Sequence, residues 1–142
     1  MGPISKLRIS IVDDDEAVRD SLTGLVESLG GEARAYGSLA AFLAAPDHAG
    51  TDCLLLDCSR RRGAADRSCD TLVAWRLGMP VVAMVRDEAV PTCADALRDG
   101  ADAVLPRPFT DQALVSAIRK ARCRRAASRG EAEPAGSGIG PG

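Results

Sequence analysis

The stretch Cys53-Leu54-Leu55-Leu56-Asp57-Cys58 decides how the chain is read. A short unbroken apolar run bounded by polar residues is the pattern of a strand buried on both faces of a parallel sheet. Ligands of open α/β sheets sit beyond the carboxyl ends of their strands, and Asp57 stands at that end. Aspartate also closes strands simply because it favours turns, so Asp57 gains weight only if other residues converge on the same place.

Upstream, Leu7-Arg8-Ile9-Ser10-Ile11-Val12 alternates, turns fully apolar, and stops on Asp13-Asp14-Asp15-Glu16. A first strand is predicted there, with acids at its carboxyl end. From Ala17 the period becomes helical, with Val18, Leu22, Leu25, Val26 and Leu29 on one face and Gly30-Gly31 as the stop. Asp15 and Glu16 suit the positive end of that helix, but three successive aspartates are more than a cap needs. Glu32–Tyr36 reads as a weak, edge-like strand, and Ser38 as the cap of a helix carrying Leu39, Phe42 and Leu43 that stops before Pro46.

Downstream, Ser59-Arg60-Arg61-Arg62-Gly63-Ala64-Ala65 reads as a basic loop and Asp66 to Leu77 as a third helix. Val81-Val82-Ala83-Met84-Val85 is a fourth buried strand, Pro91 to Gly100 a fourth helix, and Ala101 to Leu105 a fifth strand. Pro106-Arg107-Pro108-Phe109 is read as a rigid turn, and Thr110 as the cap of a last helix that buries Leu114, Val115 and Ile118. After Arg122 the pattern dissolves. The expected organisation is one domain over residues 1–125 and a disordered tail over 126–142, rich in Gly, Ala, Glu and Pro.

Strands alternating with helices at short spacing imply βαβ units, a parallel sheet and helices on both faces. Right-handed crossovers then bring all five carboxyl ends to one rim. Asp13, Asp14, Asp57, Val85 and Arg107 all lie at or just past those ends. That convergence singles out Asp57 as a functional carboxylate.

Composition narrows the classes. The 142 residues are 46% hydrophobic but only 3% aromatic, so the core is built from Ala, Leu and Val. A net charge of −2 gives no whole-domain attraction to nucleic acid or membrane. No run is apolar enough to span a bilayer and no signal-peptide pattern is evident, so a cytoplasmic location is expected. Five cysteines without a C-x-x-C pair, and the single His48, argue against a structural zinc site. The basic residues Arg119, Lys120, Arg122, Arg124, Arg125 and Arg129 are read as ordinary cations at a helix C-terminus, with no direct nucleic-acid contact expected.

Val12-Asp13-Asp14-Asp15-Glu16, Asp57 closing the third strand and the Arg107-Pro108-Phe109 turn resemble the receiver domain of two-component response regulators. Val18-Arg19 and Ser21-Leu22 make its FixJ-like group the nearest match, and the likeness covers roughly residues 6 to 123. The resemblance implies a flavodoxin-like (βα)5 doubly wound α/β fold with strand order 2-1-3-4-5. It makes Asp57 the acceptor of a phosphoryl group from a histidine kinase or another signalling partner. Mg²⁺ is then held by Asp13, Asp14, Asp57 and the backbone carbonyl of Ser59. Oxygen donors of this kind suit that hard cation. It also implies docking through the face of the fourth helix, fifth strand and fifth helix, about Pro91 to Arg122, with a homodimer through that face as the expected assembly.

Several positions depart from the family pattern. Val85 stands where a Thr or Ser hydroxyl usually bonds the phosphoryl group, and Arg86 follows where a small residue is usual. Val104 replaces the aromatic switch, and Arg107 replaces the turn lysine. Arg60-Arg61 replaces Met-Pro after the acceptor, and Ala65 a later Gly. Two main readings follow. In the first, an atypical receiver is phosphorylated on Asp57, with Arg86 or Arg107 taking the phosphoryl oxygens. In the second, a pseudo-receiver acts as an interaction module independently of phosphorylation, its acids neutralised by Arg107, Arg86 or Arg60. A metal-dependent hydrolase with Asp57 as nucleophile rests on fold analogy alone. The chain is expected not to be an enzyme, and is either a stand-alone receiver or a piece of something longer.

Overall fold

Five strands pair in parallel in the order β2-β1-β3-β4-β5. They are β1 (Arg8–Val12), β2 (Glu32–Tyr36), β3 (Cys53–Asp57), β4 (Val81–Arg86) and β5 (Ala103–Arg107). The computed structural model describes residues 2–58, 78–86 and 100–128. The expected basic loop at 59–65, the expected helix at 66–77, residues 91–99 of the expected fourth helix and the tail from 129 onward lie outside the described residues.

The central strand buries both faces, as its unbroken apolar run requires. Cys53 and Leu55 face one core, with Ile9, Ile11, Val82 and Met84 from neighbouring strands. Helix α1 (Glu16–Ser28) closes that side with Leu22 and Val26, and the C-terminal helix (Asp111–Ser128) with Leu114 and Ile118. Leu54 and Leu56 face the other core, beside Val81, Ala83 and Val85 and under Leu39 and Phe42 of α2 (Leu39–Ala44). Period-2 alternation along one strand thus feeds two layers, the hallmark of a doubly wound sheet.

Local chemistry fixes the helix ends. Asp15 Oδ1 accepts the N–H groups of Ala17 and Val18 at 2.9 and 3.3 Å, which caps α1. At the other end Gly30 takes φ +95°, and the Gly30 and Gly31 N–H groups close on the carbonyls of Glu27 and Val26. This is the Schellman pattern, in which the left-handed position suits glycine. Ser38 Oγ accepts from Ala41 N–H to start α2, and Thr110 Oγ1 accepts from Ala113 N–H to start the C-terminal helix.

Two sequence expectations are corrected. The fifth strand begins at Ala103 rather than Ala101, and it runs through Pro106 and Arg107 instead of turning there. Pro106 pairs with Val85 and Arg107 with Arg86. A proline lacks the N–H that a central strand needs, but β5 is at the sheet edge, where the loss is tolerated. The C-terminal helix continues to Ser128, past Arg122, where the apolar pattern fades. Arg125 explains the extension: at 3% exposed it is a buried residue rather than an ordinary helix-end cation. Its Nη2 donates to Asp102 Oδ2 at 3.0 Å, and that oxygen also accepts from Val81 N–H at 2.8 Å. One buried carboxylate thereby joins the end of the helix to the starts of β4 and β5.

Candidate functional site at the carboxyl rim

The strand order reverses direction between β1 and β3, and crevices form at such a switch point. β1 delivers Asp13 and Asp14 to that crevice, and β3 delivers Asp57. One carboxylate oxygen from each of the three lies within 4.8 Å of the others. Asp13 is buried, Asp14 exposed and Asp57 intermediate, so the cluster opens to solvent on the Asp14 side. Asp15, the third acid of the run, is engaged in capping α1. The acidic run therefore divides between a helix cap and a rim cluster.

Asp13 is the most constrained member. Its Oδ1 accepts the Asp15 N–H at 2.9 Å, and its Oδ2 accepts Arg107 Nη2 at 2.6 Å. Its backbone carbonyl accepts Arg19 Nη1 at 2.7 Å. Local sequence pattern carries no signal for this anchoring contact of Arg19. Burial raises the Asp13 carboxyl above its ordinary value of 3.8, against the lowering effects of the Asp15 N–H and the Arg107 guanidinium. The Asp57 charge adds to the rise.

A raised carboxyl pKa means that the native state holds this proton more tightly than the unfolded chain does. Asp13's contribution to stability is therefore most favourable at low pH and declines as the pH climbs from 3.8 through the raised value. With divalent cations chelated, Asp13→Asn is expected to be more stable than wild type at neutral pH. That advantage should vanish as the pH falls below 3.8, where both side chains are neutral. Urea midpoints of the two proteins across this range check the prediction; a constant difference at all pH values contradicts it.

Arg107 stands at the end of β5, 26% exposed, and reaches across the rim. The same Nη2 that binds Asp13 lies 3.7 Å from Asp57 Oδ1 and 3.8 Å from Met84 Sδ. Its nearer partner is Asp13. The Arg107–Pro108 peptide is cis. Val85 is fully buried in the core it shares with Leu54, Leu56 and Phe42, and presents no donor to the rim. Val104 is partly buried against the same core. The Arg86 backbone ends β4 opposite Arg107, while its side chain, like Ser59, lies outside the described residues.

Other candidate groups sit elsewhere. Cys58 is buried beside the rim, with its N–H on the Met84 carbonyl at 2.7 Å. Cys53 is buried in the core, where desolvation pushes its thiol pKa well up and suppresses the thiolate. A cavity of about 710 Å³ opens at the opposite end of the sheet, lined by His48, Asp52, Met79, Arg122 and Cys123 among others. It holds none of the rim acids.

A parallel 2-1-3-4-5 sheet with a carboxylate cluster at its switch point is a flavodoxin-like α/β fold with an acidic rim site. Residues 9–119 match the response regulator receiver domain, and the chain belongs to that family. It is 34% identical over 134 residues to the transcriptional regulatory protein FixJ of Azorhizobium caulinodans, which covers 94% of this chain and 63% of that protein. It is 33% identical over 130 residues to nodulation protein W of Bradyrhizobium diazoefficiens, covering 88% of this chain and 57% of that protein. The chain thus spans about three fifths of the length of these relatives. Among solved structures, FixJ-N superposes with a TM-score of 0.68 at 28% identity, over 83% of this chain and 94% of its own. No helix among the described residues is long and apolar enough to cross a membrane.

Proposed function

We propose that the chain is an atypical receiver of a two-component system, in which Asp57 accepts a phosphoryl group from a histidine kinase. The observation that carries this reading is the convergence of Asp13, Asp14 and Asp57 within 4.8 Å at the sheet's switch point. In the transfer a carboxylate oxygen of Asp57 attacks phosphorus, the bond to the donor's leaving group breaks, and an acyl phosphate results. Asp13, Asp14 and Asp57 are the residues that would hold Mg²⁺, with the Ser59 carbonyl as a further ligand. Their spacing fits: oxygens around this ion at about 2.1 Å lie roughly 3–4 Å apart, which a cluster within 4.8 Å accommodates. Once bound, such a cation supplies neutralisation of charge on the transferring group.

The output is proposed to differ from the usual one. A buried valine at position 85 cannot donate to a phosphoryl oxygen, and Val104 has no ring to reorient. Arg107 is the group at hand for the phosphoryl oxygens, since a guanidinium presents a planar fork of donors; Arg86 is the second candidate. We take residues 1–128 as the receiver unit, acting in the cytoplasm through protein partners. A homodimer through the face of the expected fourth helix, the fifth strand and the last helix is the proposed assembly, without direct nucleic-acid contact from this unit.

A second reading has its own support. Arg107 already neutralises part of the acid cluster, as a phosphorylation-independent interaction module requires. Incubation with acetyl phosphate or phosphoramidate, with Mg²⁺ or with chelator, separates the two by intact mass. Mg²⁺-dependent gain of one phosphoryl group is the expected result. No gain under any condition favours the interaction module, and sustained release of inorganic phosphate from a model ester would point instead to a hydrolase.

A further inference from the structure

The loop from β1 to α1 is three residues long, Asp13 to Asp15, and it carries two of the three rim carboxylates. The Asp13 side chain is aimed by its own bonds, one of them from the Asp15 N–H. Asp14 differs: among the described residues no hydrogen bond reaches its exposed carboxylate. The backbone alone sets its direction, above all the peptide unit that joins it to Asp13. The carbonyl of that unit accepts Arg19 Nη1 at 2.7 Å.

We infer that Arg19 is a positioning residue for the rim: by holding the Asp13 carbonyl it fixes the Asp13–Asp14 peptide and aims the Asp14 carboxylate at the cation. This rests on the reading of Asp13, Asp14 and Asp57 as a Mg²⁺ site. Arg19 grips the loop twice, since its own N–H donates to the Asp15 carbonyl at 3.0 Å. On the other side of Asp13, its N–H donates to the Tyr36 carbonyl at 3.1 Å and ties the loop to β2. Gly37 borders the guanidinium, for a Cβ placed there would lie 3.5 Å from Arg19 Nη1. A hydrogen bond from a charged donor is stronger than a neutral one, and no described carboxylate forms an ion pair that draws Arg19 away. Two effects of Arg19 on a cation have opposite signs. Its positive charge repels the ion, so loss of the charge alone tightens binding. Its hold on the loop orients a ligand, so loss of the bond loosens binding, by roughly ten- to a hundredfold for supports of this kind.

Titration calorimetry of the full chain with Mg²⁺, on wild type, Arg19→Met and Arg19→Lys, reads that sign. Arg19→Met keeps the apolar stem and removes every donor, and its Kd is expected to rise at least about tenfold. Arg19→Lys restores a charged donor and, since a single bond is at stake, is expected to recover most of the affinity. A Kd for Arg19→Met equal to or below that of wild type, whatever its unfolding midpoint, overturns the positioning role and leaves the cation site standing. A loss that Arg19→Lys does not relieve overturns it as well. Failure of wild type to bind Mg²⁺ removes the cation site and the positioning role together. Should Arg19→Met not fold, NMR of the ¹⁵N-labelled wild type decides. Arg19 guanidinium protons protected from exchange with Mg²⁺ bound support the hold, and freely exchanging ones overturn it.

Discussion

Arg125→Ala is expected to lower the free energy of unfolding by about 3–5 kcal/mol, a large effect for a residue outside the apolar core. The size follows from what is left behind. Arg125 and Asp102 side chains are 4% and 6% exposed, and removal of the guanidinium strands a carboxylate in a site closed to water. An unpaired buried charge costs far more than the pair contributes. The same change frees the last turns of the C-terminal helix from β4 and β5, because Asp102 Oδ2 is the atom shared by Arg125 and Val81 N–H.

The double variant Asp102→Asn with Arg125→Met separates the two causes. The asparagine carbonyl keeps an acceptor for Val81 N–H, the methionine replaces much of the arginine's buried stem, and no charge is buried. More than half of the lost stability should return. Chemical denaturation of wild type, single and double variants measures this. A double variant as unstable as Arg125→Ala would mean that the ion pair itself, and not the relief of a stranded charge, holds the helix end.

The second large effect concerns chemistry. Asp57→Ala should abolish phosphoryl uptake from small phosphodonors, whereas Asp13→Asn should only slow it. Asp57 ends the central strand at the crevice, while both Asp13 oxygens are already engaged and its side chain is closed to solvent. Loss of the acceptor removes the reaction outright. Loss of one cation ligand weakens binding and leaves the nucleophile in place; a tenfold or greater fall in labelling rate is expected for removal of one charged ligand from such a site. Time courses of intact mass on both variants measure the difference. Labelling that survives Asp57→Ala at the wild-type rate would move the acceptor elsewhere.

The layered fold and the carboxylate rim could be read from sequence because both are written in short, local patterns. The Cys53–Leu56 run has one sensible home, a strand buried twice over. The aspartate run after Val12 exceeds the needs of a cap, and the structure divides it as that excess implied: Asp15 on α1, Asp13 and Asp14 on the rim. What sequence did not give depends on distant partners. Asp102 and Arg125 are 23 residues apart, and each had an ordinary local explanation, as a strand residue and as a cation near a helix end. Pro106 looked like a breaker because strand position, central or edge, is a property of the whole sheet. Arg107 was legible as the neutralising group, but its shorter contact to Asp13 than to Asp57 depends on how β5 ends beside β4.

Under the proposed function, phosphoryl acceptance at this rim falls on one particular carboxylate. The most direct measurement is to treat the full chain with phosphoramidate and Mg²⁺, reduce the product with borohydride and map the modified residue by peptide mass spectrometry. An acyl phosphate is reduced where an ordinary carboxylate is not, so the account predicts conversion at Asp57 and nowhere else. Conversion at Asp13 or Asp14, or none at all in a protein shown to bind Mg²⁺, would contradict it.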